Sequence, residues 1–169
     1  AAVDVGNALG ARVFAAASSE AKREAALAAG AEAAIDYTTE DLKVRARELA
    51  GGTGVDVVYD PIGGELAEPA LRALGDFGRY LVVGFVGGIP KLPTNQVLLR
   101  NRSVVGVEWG GWAIFHADEN AVLIDRLLGL IAEGRLHPAR PTAFTLEEGP
   151  QVLADLVGRR LAGKAVLVP

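Results

Sequence analysis

Two serines and a lysine follow one predicted strand at a spacing that could bind a phosphate group. Ser18 and Ser19 come directly after an apolar run, and Lys22 lies three residues beyond Ser19. Hydroxyl groups donate hydrogen bonds to phosphate oxygens, and an ammonium group offsets their negative charge. Tyr37, at the end of the next predicted strand, could close this place with its hydroxyl. Taken singly, Ser19 would only cap a helix, Lys22 would be solvated and Tyr37 would pack on a loop, but together the four residues favour an anion pocket.

Two further turns, each directly after a predicted strand, are rich in glycine. They are Asp60-Pro61-Ile62-Gly63-Gly64 and Gly84-Phe85-Val86-Gly87-Gly88. Glycine lets the backbone approach a ligand where a side chain would collide, although a simple tight turn explains the first segment equally well. Asp60 is interpreted as a local cap rather than an acid catalyst, and Phe85 could be an ordinary core residue. The turns therefore predict binding through the backbone, and no side chain is assigned to catalysis.

Apolar runs alternate with helix-forming segments along the whole chain. Strands are predicted at 11–17, 33–36, 55–59, 79–85, 103–108 and 164–168. Helices are predicted at 1–9, 20–29, from about Thr39 to Gly51, at 64–74, 118–132 and 147–161, with a Pro- and Gly-rich connection after the fourth strand. This alternation predicts an α/β fold with a doubly wound, mostly parallel sheet. Ligands of such sheets bind beyond the carboxyl ends of the strands, so the turns described above should share one rim.

Composition narrows the classes of function. The 169 residues suit one domain, and the net charge of -4 with scattered basic residues argues against a nucleic-acid or anionic-membrane partner. No segment is apolar over the length of a membrane span, so a cytoplasmic location is expected. The chain has no cysteine and only two histidines, His116 and His137, both interpreted as surface residues. We therefore expect no metal site, and any chemistry should come from an organic cofactor.

Several long segments together resemble the medium-chain dehydrogenase/reductases. They are GARVFAAASSEAKREAALAAGAEAAIDY, GVDVVYDPIGG, GRYLVVGFVGGIPKLPTN and the closing GKAVLVP. The chain is most similar to the zinc-free NADPH:quinone oxidoreductase, or zeta-crystallin-like, branch of that family. The resemblance implies a Rossmann-type domain, NADPH as cofactor, and hydride transfer to a small quinone or enone. Two alternatives stay open: a zinc-dependent alcohol dehydrogenase of the same superfamily, and a non-catalytic nucleotide-binding or structural relative.

The resemblance also assigns roles to the turns. Dinucleotide-binding folds place an acidic residue at the end of the second strand of their sheet, where it binds the adenosine ribose. The first predicted strand of this chain corresponds to that second strand, and by spacing Ala17 occupies the place of the acidic residue. Without that repelling carboxylate, Ser18, Ser19, Lys22 and Tyr37 are predicted to bind the 2′-phosphate of NADPH. The resemblance puts Asp60 and Pro61 beside the adenine and ribose, and the backbone of 84–86 beside the nicotinamide.

The family places a strand and a glycine-rich loop before its first helix, and the sequence opens on what looks like the body of that helix. Residues 1–169 are therefore expected to be a truncated nucleotide-binding domain, incomplete at its N-terminus, whose C-terminal segment packs towards a substrate domain. Either the chain is a fragment or another chain supplies the strand. The piece alone is expected to be unstable and inactive, since the sheet order 3-2-1-4-5-6 would lose its central strand.

Two tryptophans, Trp109 and Trp112, follow the fifth predicted strand and would expose apolar area unless they are covered. The resemblance implies a homodimer through the edge at 104–112. Packing beneath the helix at 118–132 explains the tryptophans equally well.

Overall fold

The computed structural model describes residues 1–158, 160–161 and 163–169. Helices and strands alternate through most of this part of the chain. The strands are Phe14–Ala16 (β1), Ala33–Ile35 (β2), Val55–Asp60 (β3), Leu74–Val82 (β4), Ser103–Gly106 (β5), Thr142–Thr145 (β6) and Ala165–Val168 (β7). The α-helices are Ala2–Ala8 (α1), Glu20–Ala28 (α2), Leu42–Leu49 (α3), Ala67–Ala73 (α4), Thr94–Leu98 (α5), Trp109–Phe115 (α6), Ala117–Ala132 (α7) and Gly149–Val157 (α8). None of the described helices is both long and apolar enough to cross a membrane.

Every strand pair is parallel, which confirms the predicted α/β class. β1 pairs with β2, the order β3-β4-β5 forms a second sheet, and β6 pairs with β7. Ala16 lies opposite Ile35, and Asp60 lies opposite Val82, so neighbouring strands end together. β1 and β3 each have one paired neighbour among the described strands. The chain therefore has two strand-end clusters, one on β1 and β2 and one on β3 and β4.

Local sequence explains where several elements begin and end. The Asp41 carboxylate accepts a hydrogen bond of 2.9 Å from the Val44 amide and so caps α3. β3 is rich in β-branched and aromatic residues, which favour a strand. Ser19 occupies the capping position of α2, but its side chain makes no capping hydrogen bond. The predicted position of Ser19 as the N-cap of α2 is therefore confirmed, whereas a capping hydrogen bond from its side chain is not.

Two small apolar clusters hold the helices on the strands. One contains Ala67, Leu71, Leu74 and Tyr80, all completely buried, and it packs α4 on β3 and β4. The other, Ile35 with Ala46 and Ala73, joins β2, α3 and α4. Fully burying such side chains stabilises a fold by about 1.5–3 kcal/mol each for the larger ones. These clusters fix the strands whose ends carry the predicted site.

The start of β4 differs from the prediction. A strand was expected at 79–85, but β4 begins at Leu74 and ends at Val82. Leu74 pairs with Val55 and Arg79 with Val57, so the residues between them form an irregular bulge. The buried Arg102 holds this bulge: its guanidinium donates to the carbonyl of Gly75 at 3.2 Å and also to the carbonyl of Leu74. Burial lowers the pKa of Arg102 from its usual value.

Three elements were not predicted. α5 lies within the Pro- and Gly-rich connection, α6 contains both tryptophans, and β6 pairs with β7. The helix predicted at 64–74 begins as a 3-10 turn at Gly64–Leu66. The helix predicted at 147–161 spans Gly149–Val157, and its predicted residue 159 lies outside the described residues.

Candidate functional site

The carboxyl ends of parallel strands lie at the same edge of a sheet. Of the nine predicted binding residues, Asp60 is the last residue of β3 and the other eight follow strand ends. They fall into two groups, one after β1 and β2 and one after β3 and β4. The first is Ser18, Ser19, Lys22 and Tyr37, and the second is Asp60, Pro61, Gly84, Phe85 and Val86. The pairing of the strands places the two strand ends of each group side by side.

The first group offers exposed polar side chains around Ala17. The Ala17 amide donates to the Ile35 carbonyl at 3.0 Å, which extends the β1–β2 ladder by one residue. Ser18 and Lys22 are exposed, and Ser19 and Tyr37 are partly buried. Within the part of the chain that the structure describes, no ion pair uses the Lys22 ammonium group. A hydroxyl and a cation are thus available beside the end of β1, where they could bind a phosphate group.

An ion pair that the sequence analysis missed supports this group. Arg23 Nη1 lies 2.9 Å from Asp36 Oδ2 and donates to the Ala17 carbonyl at 3.3 Å. Hydrogen bonds from the hydroxyl and amide of Thr38, and the nearby Arg23 charge, hold the pKa of Asp36 below its usual value. Asp36 therefore remains charged, but Arg23 offsets its charge and ties the end of β1 to the end of β2. The only sequence signal was the position of Arg23 one turn into α2.

The second group consists of two turns that contact each other through the backbone. The Gly87 amide donates to the Ile62 carbonyl at 2.7 Å, and the Gly64 amide donates to the Gly88 carbonyl at 2.7 Å. The turns are so close that a Cβ on Gly63 would lie 2.6 Å from the Gly88 oxygen. Gly63 has φ 67°, a left-handed conformation that favours glycine. The two glycine-rich segments therefore form one surface.

Asp60 lies beneath this surface rather than on it. Its side chain is buried, and one carboxylate oxygen accepts hydrogen bonds from the amides of Ile62, at 2.7 Å, and Gly63, at 3.0 Å. The other oxygen accepts from the Tyr80 hydroxyl. This arrangement matches the interpretation of Asp60 as a turn cap. A contact of Asp60 with a ligand would have to come through the turn that it holds.

Phe85 and Val86 project from the second turn into solvent, being 56% and 77% exposed. The alternative interpretation of Phe85 as an ordinary core residue is therefore wrong for the described chain. Pro61 is also exposed, so the turns present apolar groups beside backbone amides and carbonyls. Such a mixed surface suits a flat ring that carries a polar substituent.

The tryptophans do not continue the β5 edge as an extended strand, because both lie in α6. Trp109 donates from its indole nitrogen to Asn120 of α7 at 3.0 Å, and Trp112 stacks on His116 with 5.4 Å between ring centroids. Trp109 thus meets α7, as in the alternative interpretation, but remains 54% exposed.

The residues present do not fit a zinc site. The chain has no cysteine, and the described residues hold no group of three or more His, Asp or Glu that could bind a metal ion. Among the described residues, the carboxylate beside the His116 ring is that of Glu119, at 3.6 Å, and the one beside the His137 ring is that of Asp4, at 3.4 Å. A cavity of about 690 Å³ near Asp4 and His137 lies where α1 and α2 end, at the opposite end of the strands from the predicted site.

Comparison with known proteins agrees with this geometry. The zinc-binding dehydrogenase family model matches residues 1–127. Quinone oxidoreductase-like protein 2 of Bos taurus is 37% identical over 99% of the chain and 48% of its own length. The 2-haloacrylate reductase of a Burkholderia species is 31% identical over 95% of the chain and 49% of its own length.

A solved structure gives the same result for the fold. The chain superimposes on the Escherichia coli quinone oxidoreductase complexed with NADPH with a TM-score of 0.84 and 27% identity, over 99% of the chain and 52% of that protein. The chain spans about half the length of the relatives that it matches. It therefore belongs to the zinc-binding dehydrogenase family and has the Rossmann-like cofactor-binding fold of quinone oxidoreductases.

Proposed function

We propose that this chain binds NADPH and presents it for hydride transfer to a small quinone or conjugated carbonyl compound. The observation that carries the proposal is the end of β1, where Ala17 occupies the place that dinucleotide-binding folds give to a carboxylate, next to the exposed Ser18 and Lys22. A carboxylate there would repel a 2′-phosphate, whereas a hydroxyl and an ammonium group attract one. The Escherichia coli relative was solved with NADPH, which supports the same cofactor here.

The proposed contacts divide between the two groups of residues. Ser18, Ser19, Lys22 and Tyr37 would bind the 2′-phosphate. The turn at Asp60 and Pro61 would lie beside the adenosine. The backbone of Gly84, Phe85 and Val86 would bind the nicotinamide and its amide, with the apolar side chains excluding water from one side of the ring. When bound, the cofactor supplies the hydride, so these residues need only hold and orient it. No catalytic role is assigned to a side chain of this chain.

The phosphate contact is tested with Lys22→Ala in the full-length protein that the gene encodes. We expect the unsubstituted full-length protein, here called the parent, to bind NADPH more tightly than NADH when both are measured by titration calorimetry. Lys22→Ala should weaken NADPH binding about tenfold, because it removes a charge-assisted contact, and should change NADH binding by less than about twofold. Lys43→Ala is the matched control, since Lys43 is an exposed lysine in the first turn of another helix.

Three outcomes would count against the proposal. If neither nucleotide binds the parent, the dinucleotide site is wrong. If NADH binds as tightly as NADPH, the 2′-phosphate pocket is wrong. If NADPH binds but is not oxidised by quinones or enones, the non-catalytic alternative replaces the reductase.

We also propose a homodimer through the segment 104–112, which contains the end of β5 and the two tryptophans of α6. Among the described strands β5 pairs only with β4, and Val104, Val105 and Val107 are each about 40% exposed beside the other edge. An open strand edge with apolar neighbours favours pairing with a second copy. In sedimentation experiments the parent should be a dimer and Val105→Lys a monomer, while Val44→Lys, at an exposed valine of α3, should remain a dimer. A monomeric parent, or a dimeric Val105→Lys, would contradict this interface.

A further inference from the structure

Tyr80 carries a polar group into an otherwise apolar cluster. Its side chain is completely buried against Ala67, Leu71 and Leu74. A phenylalanine ring would fill the same space, so packing alone does not require the hydroxyl. That hydroxyl donates to Asp60 Oδ2, and burial, together with Asp60, raises the pKa of Tyr80 above its usual value. Tyr80 therefore stays protonated and remains a donor at neutral pH.

Asp60 connects this buried hydroxyl to both turns. Its Oδ1 atom holds its own turn through the amides of Ile62 and Gly63, at 2.7 and 3.0 Å. Its main-chain carbonyl accepts from the amides of Val83, at 3.0 Å, and Gly84, at 3.3 Å, where the neighbouring turn begins. A buried carboxylate needs all its partners, and losing one lets it rotate or draw in water. The position of Asp60 thus sets the positions of both turns.

We infer that Tyr80 is a positioning residue, which through Asp60 holds the turn at 61–64 against the turn at 84–88 and so shapes the backbone surface for the dinucleotide. The inference rests on the proposed function for the identity of the ligand. Tyr80 itself is completely buried and would not touch the ligand. The two turns are packed so closely that a Cβ on Gly64 would overlap the Gly87 carbonyl oxygen. A small rotation of Asp60 would therefore displace both turns.

The test is Tyr80→Phe in the full-length protein, measured with NADPH and with NADH. We expect both dissociation constants to rise by the same factor, about fivefold, as for the loss of one ordinary hydrogen bond. The ratio between the two constants should not change, because the residues that are proposed to bind the 2′-phosphate lie after β1 and β2, away from these turns. Lys22→Ala should instead change that ratio. The two variants therefore separate positioning of the turns from recognition of the phosphate.

A matched control distinguishes positioning from loss of stability. Val152→Ala removes buried methyl groups from α8, a helix that carries none of the proposed binding residues, so it should lower the melting temperature without changing either dissociation constant. Tyr80→Phe should also speed amide hydrogen exchange at Ile62 and Gly63 more than within β3. If Tyr80→Phe lowers only the melting temperature and leaves both constants unchanged, the inference is wrong. If the unsubstituted protein binds neither nucleotide, the proposed function is wrong. Independently of binding, unchanged amide exchange at Ile62 and Gly63 in Tyr80→Phe would show that the positioning role is wrong.

Discussion

Replacing Gly54 with alanine is expected to lower the free energy of unfolding by about 3 kcal/mol. Gly54 has φ 96°, which costs an alanine about 1–2 kcal/mol. The added Cβ would also lie 2.5 Å from the Gly75 nitrogen and 2.7 Å from the Ala73 oxygen, both backbone atoms that cannot rotate away. Such overpacking costs about 1–3 kcal/mol more. Equilibrium urea unfolding measures the loss.

Gly52→Ala provides the control for this prediction. Gly52 has a similar φ of 89°, but an added Cβ would meet nothing within 4 Å. We expect this variant to lose only the backbone contribution, about 1 kcal/mol. If both variants lose the same free energy of unfolding, the backbone at the start of β4 can move away from the added Cβ, and the prediction for Gly54 is wrong.

Arg102→Met is expected to destabilise the protein by a similar amount, about 3 kcal/mol. The substitution keeps an unbranched apolar stem but removes donors to the carbonyls of Leu74, Gly75 and Gln96. Buried carbonyls that lose their partner carry a desolvation cost of about 1–3 kcal/mol each, partly relieved by relaxation. Arg47 also donates to Leu74, at 3.2 Å, so that carbonyl keeps one partner. Urea unfolding again measures the change.

The matched control is Arg100→Met, two residues earlier in the chain. Arg100 is exposed and pairs with Asp76 at 3.0 Å, an arrangement that contributes little because water screens it. We expect a change within about 0.5 kcal/mol. If the two methionine variants are equally stable, Arg102 does not hold the bulge, and the irregular start of β4 depends on the backbone alone.

The sequence predicted the class of fold because its signals are local. β3 was placed to within one residue, since its β-branched run is bounded by Gly54 and Pro61. β4 was misplaced because its first residues depend on Arg102, which is 28 residues from Leu74 in the chain. β6 was missed because Thr142–Thr145 is only four residues long and has no apolar run. The bounds of β4 and β6 depend on pairing with other strands rather than on the strand preference of their own residues.

In the site, too, local signals could be read from the sequence, whereas contacts between distant residues could not. The rule that ligands bind beyond strand ends selected both groups of residues, and small or polar residues marked the turns. The supporting pairs could not be found in this way, because Arg23 with Asp36 and Tyr80 with Asp60 join different elements. Asp60 was given two roles from the sequence, a turn cap and a neighbour of the adenine and ribose, and in the structure it is a buried cap of its own turn. Burial, which decides between these roles, is set by the packing of α4 on β4.

The cluster of Ile35, Ala46 and Ala73 connects the two groups of proposed binding residues. It packs β2, whose end precedes Tyr37, against α4, which in turn packs on β3 and β4. Close-packed side chains transmit small displacements from one element to the next. A dinucleotide that binds at both strand ends would therefore stabilise the packing of this cluster, and its binding should slow amide hydrogen exchange in α3 and α4, which it would not touch.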